Sequence, residues 1–303
     1  MRFVTFIHHN QPRLGALLGD SILDLNRANP AIPADILLLL GAGASVLGLA
    51  REALAEAKPE AFIPLSEATL LAPILRPGKI LCIGHNYKGH IGIGKTELPE
   101  YPNFFCKTAN VITGHQQPIL IPRITSQVDY EAELAVVIGK RGHDIPEAEA
   151  MQYVAGYSIF NDVSARDVQK RTSQWFLGKS FDTFGPLGPV LVTKDEIPDP
   201  HCLNLELTVN GVPRQRTHTS DLIFSVPFLV SYLSQVMTLD PGDIIATGTP
   251  AKLVLPEGHR DGVSESKDCP EAANPQRFLE PGDVVEITIE RLGTLANPIK
   301  RNE

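Results

Sequence analysis

Four cysteines in 303 residues, none in a C-x-x-C pair, leave little scope for a sulfur-bound zinc site. Cys82, Cys106, Cys202 and Cys269 are widely spaced and fit reduced thiols better than a disulfide framework. Positive charge is also short: 27 Lys and Arg against 35 Asp and Glu leave a formal net charge of −8. Nucleic acid is normally met by a basic face, so it is not an expected partner. A small anionic substrate remains compatible, because a metal or a few cations can reverse the sign in one pocket. No apolar run reaches the ~20 residues that span a bilayer. The longest, Ile36 to Leu49, is broken by Gly41, Gly43, Ser45 and Gly48. No membrane partner is expected. Met1 to Ile7 has no charged segment leading into a long apolar stretch, so no secretory leader is read. The expectation is a cytoplasmic protein, with organelle import left open. No repeat of solenoid length occurs.

What the chain does have is an ordinary globular composition, 43% hydrophobic and 20% charged, which can bury a sizeable core. Residues 1–75 read as a small N-terminal α+β domain. It has strand-like runs at Arg2–Ile7, Leu14–Leu18 and Ser21–Leu25, a hairpin turn at Gly19-Asp20, and a helical stretch through Lys58. Pro73, Pro77 and Gly78 punctuate the boundary, and residues 76–303 read as the catalytic domain. Short strands at close spacing make the whole mixed α/β and β-rich. Asp129–Gly139 reads as one strand entering the core, Pro146–Tyr153 as a short helix with Asp144 as N-cap, and Tyr157–Val163 as a further strand. Asn210-Gly211, Asp240-Pro241-Gly242 and Glu280-Pro281-Gly282 are turn signals feeding strands. Glu257–Arg277 is polar and interrupted by Gly and Pro, the pattern of a mobile surface loop.

Four patterns carry chemistry. Glu131-x-Glu133 places two carboxylates on one strand face, about 7 Å apart by strand rise, just before the apolar run Leu134–Ile138. Such a pair at the mouth of a buried strand is costly unless a cation compensates. Asp162, ending a second apolar strand, supplies a third carboxylate, and an all-oxygen set favours Mg²⁺, Mn²⁺ or Ca²⁺ over zinc. Gly84-His85-Asn86-Tyr87-x-x-His90 follows an apolar strand and can present a histidine for proton transfer at a cleft. Arg166, Gln169 and Lys179 could bind a carboxylate and a 2-oxo group near such a metal. Thr247-Gly248-Thr249-Pro250 is a tight turn that exposes a hydroxyl and backbone N–H groups.

In order along the chain, G-x-N-Y-x-x-H, F-x-K at Phe105–Lys107, D-Y-E-A-E-L-A, N-D-V-S-A-R-D-x-Q, G-K-S-F-D-T-F-x-P-L-G-P, V-N-G and P-G-D-I-I-x-T-G-T-P resemble the fumarylacetoacetate hydrolase family. The N-terminal R-L-G-x-L-L-G-D-S-I-L-D-L-N further resembles its domain-containing-protein-2 branch. The resemblance implies a mixed β-sandwich roll with a small N-terminal domain, assembled as a homodimer. It implies Mg²⁺ or Mn²⁺ on Glu131, Glu133 and Asp162, with His90 as general base on a lid. Arg166, Gln169, Lys179, Gly248 and Thr249 would contact substrate, and Lys179 would also serve catalysis. The chemistry implied is a metal-stabilised enolate on a small 2-oxo or β-dicarbonyl acid, broken at C–H, at C–COO⁻ or at C–acyl.

Two departures bear on which bond breaks. Hydrolytic members carry a Glu three residues after the lid histidine, where this chain has Ile93. Glu97 or Glu100 would need another loop path to replace it. The family's T-G-T-P-x-G-V becomes Thr247-Gly248-Thr249-Pro250-Ala251-Lys252-Leu253. Loss of the water-activating Glu favours oxaloacetate tautomerase or decarboxylase chemistry. Hydrolysis of an acylpyruvate- or fumarylacetoacetate-like substrate is the alternative, and a metal-containing binding protein or weakened paralogue a third reading.

Overall fold

The computed structural model describes residues 1–90, 98–253 and 277–302. A twelve-stranded sheet dominates it. Its centre is Ala132–Ile138, buried at every position and flanked antiparallel by Val154–Asn161 and Ile244–Ala246. A strand covered on both faces explains a continuous apolar run where a half-exposed strand would alternate. Ile244–Ala246 pairs in parallel with Ile80–Gly84, which pairs antiparallel with Asn103–Lys107 at one edge. On the other side Val154–Asn161 pairs with Gly185–Thr193. There the N-terminal strands join the same sheet, with Arg2 opposite Val192 and Phe3 opposite Leu191.

The hairpin read at Gly19-Asp20 is formed: Leu18 faces Ser21, and Gly19 takes φ +56°. The apolar run 36–49 becomes two helices, Ile36–Ala42 and Ala44–Glu56, bent by 120° at Gly43, whose φ of +81° suits a residue without Cβ. Among the described residues no single helix is long and apolar enough to cross a membrane.

A second sheet of five strands runs in the order Val212–His218, Asn204–Val209, Val284–Ile289, Gly293–Arg301, Ile119–Ile121. Asn204–Val209, Val284–Ile289 and Gly293–Arg301 alternate buried and open positions, as a sheet with one face on the core should. Asn210 and Gly211, both at positive φ, turn the first hairpin. One hydrophobic cluster runs through both sheets, from Phe3 to Ile299. The architecture is thus the β-rich, mixed α/β arrangement expected.

Two local expectations fail. Asp129–Gly139 is not one strand: pairing covers Val128–Asp129 and Ala132–Ile138, leaving Tyr130 and Glu131 between. Side-chain amides replace the ladder there, since Glu131 N–H donates to Asn161 Oδ1 and Ala132 N–H to Gln215 Oε1, both at 3.0 Å. The short helix is a 3₁₀ helix over Glu147–Gln152 with Pro146 at its cap, and Asp144 is no N-cap. Asp144 sits at φ +50°, and its N–H donates to the Ser234 carbonyl at 3.0 Å. Contact with the Val226–Val236 helix thereby overrides the capping preference.

Candidate functional site

Glu131 enters the site from the break before the central strand, Glu133 from the second residue of that strand, and Asp162 from just past the end of its neighbour. One carboxylate oxygen from each lies within 4.8 Å of the others. All three residues are buried. At that separation each ionised pair repels by roughly 3 kcal/mol at an effective dielectric near 20. Such a cluster therefore needs cations.

The protein supplies some of them. Lys179, from the Phe176–Lys179 turn of helix, donates to Glu131 Oε2 at 2.7 Å and to Asp162 Oδ2 at 2.6 Å. Lys107, closing the Asn103–Lys107 strand, donates to Asp162 Oδ1 at 2.5 Å and to the Phe184 carbonyl at 2.7 Å. Arg166 grips Glu131 Oε1 at 2.5 Å, Asp129 Oδ2 at 2.8 Å and Gln169 Oε1 at 3.0 Å. Glu133 receives the Gly248 N–H at 2.8 Å and, among the described residues, no side-chain cation.

The electrostatics follow these partners. Burial works to raise the Glu131 carboxyl, but Arg166 and Lys179 overcome it and hold it well below the usual range. Burial, with repulsion from Asp162 and Glu131, pushes Glu133 far up. Burial also lowers Lys107, with Lys179 adding to the effect against Asp162. It opposes the charge on Lys179 too, but Asp162 and Glu131 prevail and raise it. Among the described residues Glu133 is thus a buried carboxylate with no side-chain hydrogen bond, and Lys179 offsets only part of the burial and repulsion that raise it. An oxygen-only set with one partly compensated member fits a hard divalent cation.

The Thr247–Pro250 turn lies against the triad. Asn86, from the Gly84–Tyr87 turn, braces it by donating to the Thr247 carbonyl at 2.8 Å. Gly248 has φ +99°, and a Cβ there would stand 2.8 Å from the Asn86 Cβ and 2.9 Å from the Ile83 carbonyl. Only glycine lets this backbone bring its N–H to Glu133. The Thr249 hydroxyl accepts from Gln215 Nε2 at 2.8 Å.

The structure therefore gathers Glu131, Glu133, Asp162, Arg166, Gln169, Lys179, Gly248 and Thr249. His90 closes a 3₁₀ turn, Lys88–His90, but its side chain lies outside the described residues, as do Ile93, Glu97 and positions 257–276. Glu100 is exposed. Cys82 is fully buried, in keeping with a core thiol, while Cys106 and Cys202 are exposed and Cys269 lies outside the described residues. Sequence reasoning gave no role to Lys107, Asp129 or Gln215. Asp129 carried a signal, since it continues the alternation of Glu131 and Glu133. Gln215, in the middle of a strand of the other sheet, carried none.

The family described as "Fumarylacetoacetate (FAA) hydrolase C-terminal" matches residues 79–300. The chain is 41% identical, over 99% of its length and 91% of the relative's, to the mitochondrial oxaloacetate tautomerase Fahd2a of Rattus norvegicus. Among solved structures it is similar to a maleylpyruvate hydrolase from Sphingobium, in complex with manganese(II) and pyruvate. That match has a TM-score of 0.80 at 29% identity and covers 100% of both chains. A fumarylacetoacetate hydrolase from Exiguobacterium antarcticum matches with a TM-score of 0.81 at 33% identity, again over 100% of both chains.

Proposed function

The chain belongs to the fumarylacetoacetate hydrolase family, and we propose that within it the protein tautomerises or decarboxylates oxaloacetate or a closely similar 2-oxo acid through an enolate. The observation that carries this is the buried carboxylate triad with Glu133 only partly compensated. Glu131, Glu133 and Asp162 would hold Mg²⁺ or Mn²⁺. Bound there, such an ion polarises a chelated 2-oxo group and stabilises negative charge on its oxygen.

The remaining work falls to side chains. Lys179 lies against two of the three carboxylates and, with a third N–H donor, can also hold a substrate oxygen. Arg166 and Gln169 orient a carboxylate, and Gly248 and Thr249 limit where the reacting carbon sits. His90 moves the proton. Ile93, standing where hydrolytic members carry Glu, favours reactions that need no activated water. The likeness to a maleylpyruvate hydrolase supports acylpyruvate hydrolysis as the second reading. We further propose a homodimer, to be checked by light scattering, with residues 1–75 as a small N-terminal domain that shares the large sheet, to be checked by limited proteolysis. The cytoplasm is the compartment proposed from sequence. The relative named mitochondrial supports an organelle instead, and cell fractionation decides between them.

Purified protein with Mg²⁺ is to be given oxaloacetate, acetylpyruvate or fumarylacetoacetate while enol absorbance, CO₂ and released carboxylic acid are followed separately. The proposal expects loss of enol or release of CO₂ from oxaloacetate. Acetate from acetylpyruvate with no effect on oxaloacetate would replace it with hydrolysis. His90→Ala is expected to keep metal binding and lose rate by on the order of 10²–10⁴-fold.

A further inference from the structure

We propose that Lys252 is a specificity residue that takes the second carboxylate of a dicarboxylic 2-oxo acid, the one distal to the oxo group. The assignment rests on the function proposed above and adds a residue to it. It starts from the path of one short segment. Leaving the Ile244–Ala246 strand, the chain gives the Gly248 N–H to Glu133 at 2.8 Å and places the Thr249 hydroxyl on Gln215 at 2.8 Å. It then bridges to Gln215 through the backbone of Lys252. The same few residues touch the triad at one end and carry an ammonium at the other.

That ammonium shares an acceptor with a residue of the site. Asp129 is fully buried; its Oδ1 takes Lys252 and its Oδ2 takes Arg166 Nε at 2.8 Å. One carboxylate thus faces two cations, and Arg166 is also the group that grips Glu131. Lys252 is further held with its Nζ 4.5 Å from the Tyr130 ring centroid. An ammonium has three N–H donors, so one bond to Asp129 leaves capacity for another acceptor.

Exposure gives the direction of approach. The side chains of Lys107 and Lys179 are 0% and 2% exposed, that of Arg166 is 16% and that of Lys252 30%. The cations therefore grade from the floor of the site to its rim. Arg166 bonds both Asp129 and Glu131, so the rim carboxylate and the triad lie within the reach of one guanidinium, a span that a small diacid can match. Its 2-oxo end would lie by Lys179 and its distal carboxylate by Lys252 and Arg166. A neutral distal group would gain a weaker hydrogen bond from the rim cations and no ion pair. The glycine of the family pattern at this position could not make the contact.

The test compares oxaloacetate with 2-oxosuccinamate, which replaces the distal carboxylate by a neutral amide of the same shape. kcat/KM for both, and the dissociation constant of pyruvate by calorimetry, are measured with Mg²⁺ on wild type, Lys252→Gln and Lys252→Arg. Wild type should prefer the diacid. Lys252→Gln should reduce that preference about 10- to 100-fold, as for a lost charge-assisted hydrogen bond, with pyruvate affinity unchanged. Lys252→Arg should keep most of it. Because Asp129 retains Arg166, Lys252→Gln leaves no buried charge unpaired, and its melting temperature should stay close to wild type. An equal fold-loss for all three ligands in Lys252→Gln would overturn the assignment and make the residue a structural prop. A wild type that binds pyruvate without preferring the diacid would overturn it while leaving the proposed function standing. A wild type that binds no 2-oxo acid would remove both.

Discussion

The parallel strands Ile80–Gly84 and Ile244–Ala246 carry charged groups at both ends, and the two ends differ. Where the strands begin, Lys79 pairs with Asp243 at 2.7 Å and with Asp240 at 3.3 Å, and Arg141 caps Asp240 at 2.8 Å. Two cations meet two carboxylates there, and most of the groups reach solvent. Where the strands end, at Gly84 and Thr247, lie the triad and its lysines, nearly sealed from water. The first cluster is balanced by its own members and fastens a turn. In the second, among the described residues, the cations meet Glu131, Asp162 and Asp129 but make no hydrogen bond to Glu133, and burial with repulsion from Asp162 and Glu131 raises its carboxyl.

The largest effect should come from Asp162→Ala. It takes from buried Lys107 its carboxylate partner and leaves buried Lys179 with Glu131 alone, and loss of one partner from a buried ion pair costs about 3–5 kcal/mol. Chemical denaturation is expected to show that loss together with loss of turnover. A full-stability variant would mean that the lysines find other partners, and would weaken the contrast between the two ends.

A second effect depends on pH. The folded protein raises the Glu133 carboxyl above its ordinary value of 4.5, so without metal the native state holds a proton that the unfolded chain gives up. Stability should then fall as pH rises above about 4.5 through this group, opposite in sign to Glu131, whose lowered carboxyl stabilises above that value. Metal should take the place of the Glu133 proton, so its stabilisation should grow from pH 5 to pH 8. At 100 times its dissociation constant the ion adds about 2.7 kcal/mol. Melting curves with and without Mg²⁺ at the two pH values test the sign; a stabilisation that shrinks with pH would contradict it.

The smallest effect is expected at the balanced end. Arg141→Met removes an exposed ion pair and leaves Asp240 with Lys79, with an expected cost of at most about 1 kcal/mol and unchanged kcat/KM. A large fall in kcat/KM would show that the two ends are coupled through the strands.

Much of this was legible in the residues. The triad was readable because Glu131-x-Glu133 precedes an uninterrupted apolar run and Asp162 ends another. The hairpins at Gly19 and Asn210 were readable because local turn chemistry decides them. Asp144 was misread because its neighbours in space, not in sequence, decide its backbone. The break at Tyr130-Glu131 was hidden for the same reason, since it depends on Asn161 and Gln215 arriving from other strands. The ion network was only partly visible: spacing identifies carboxylates, whereas packing decides which lysine meets which oxygen.

The central claim is that Glu131, Glu133 and Asp162 share one hard cation. Titration of metal-free protein with Mn²⁺, read by electron paramagnetic resonance, tests it most directly. The account expects one tight ion per chain in wild type, displaced by Mg²⁺ and absent in Glu133→Gln, whose fold should be intact. Absence of tight binding in wild type, or the same stoichiometry and affinity in Glu133→Gln, would contradict it.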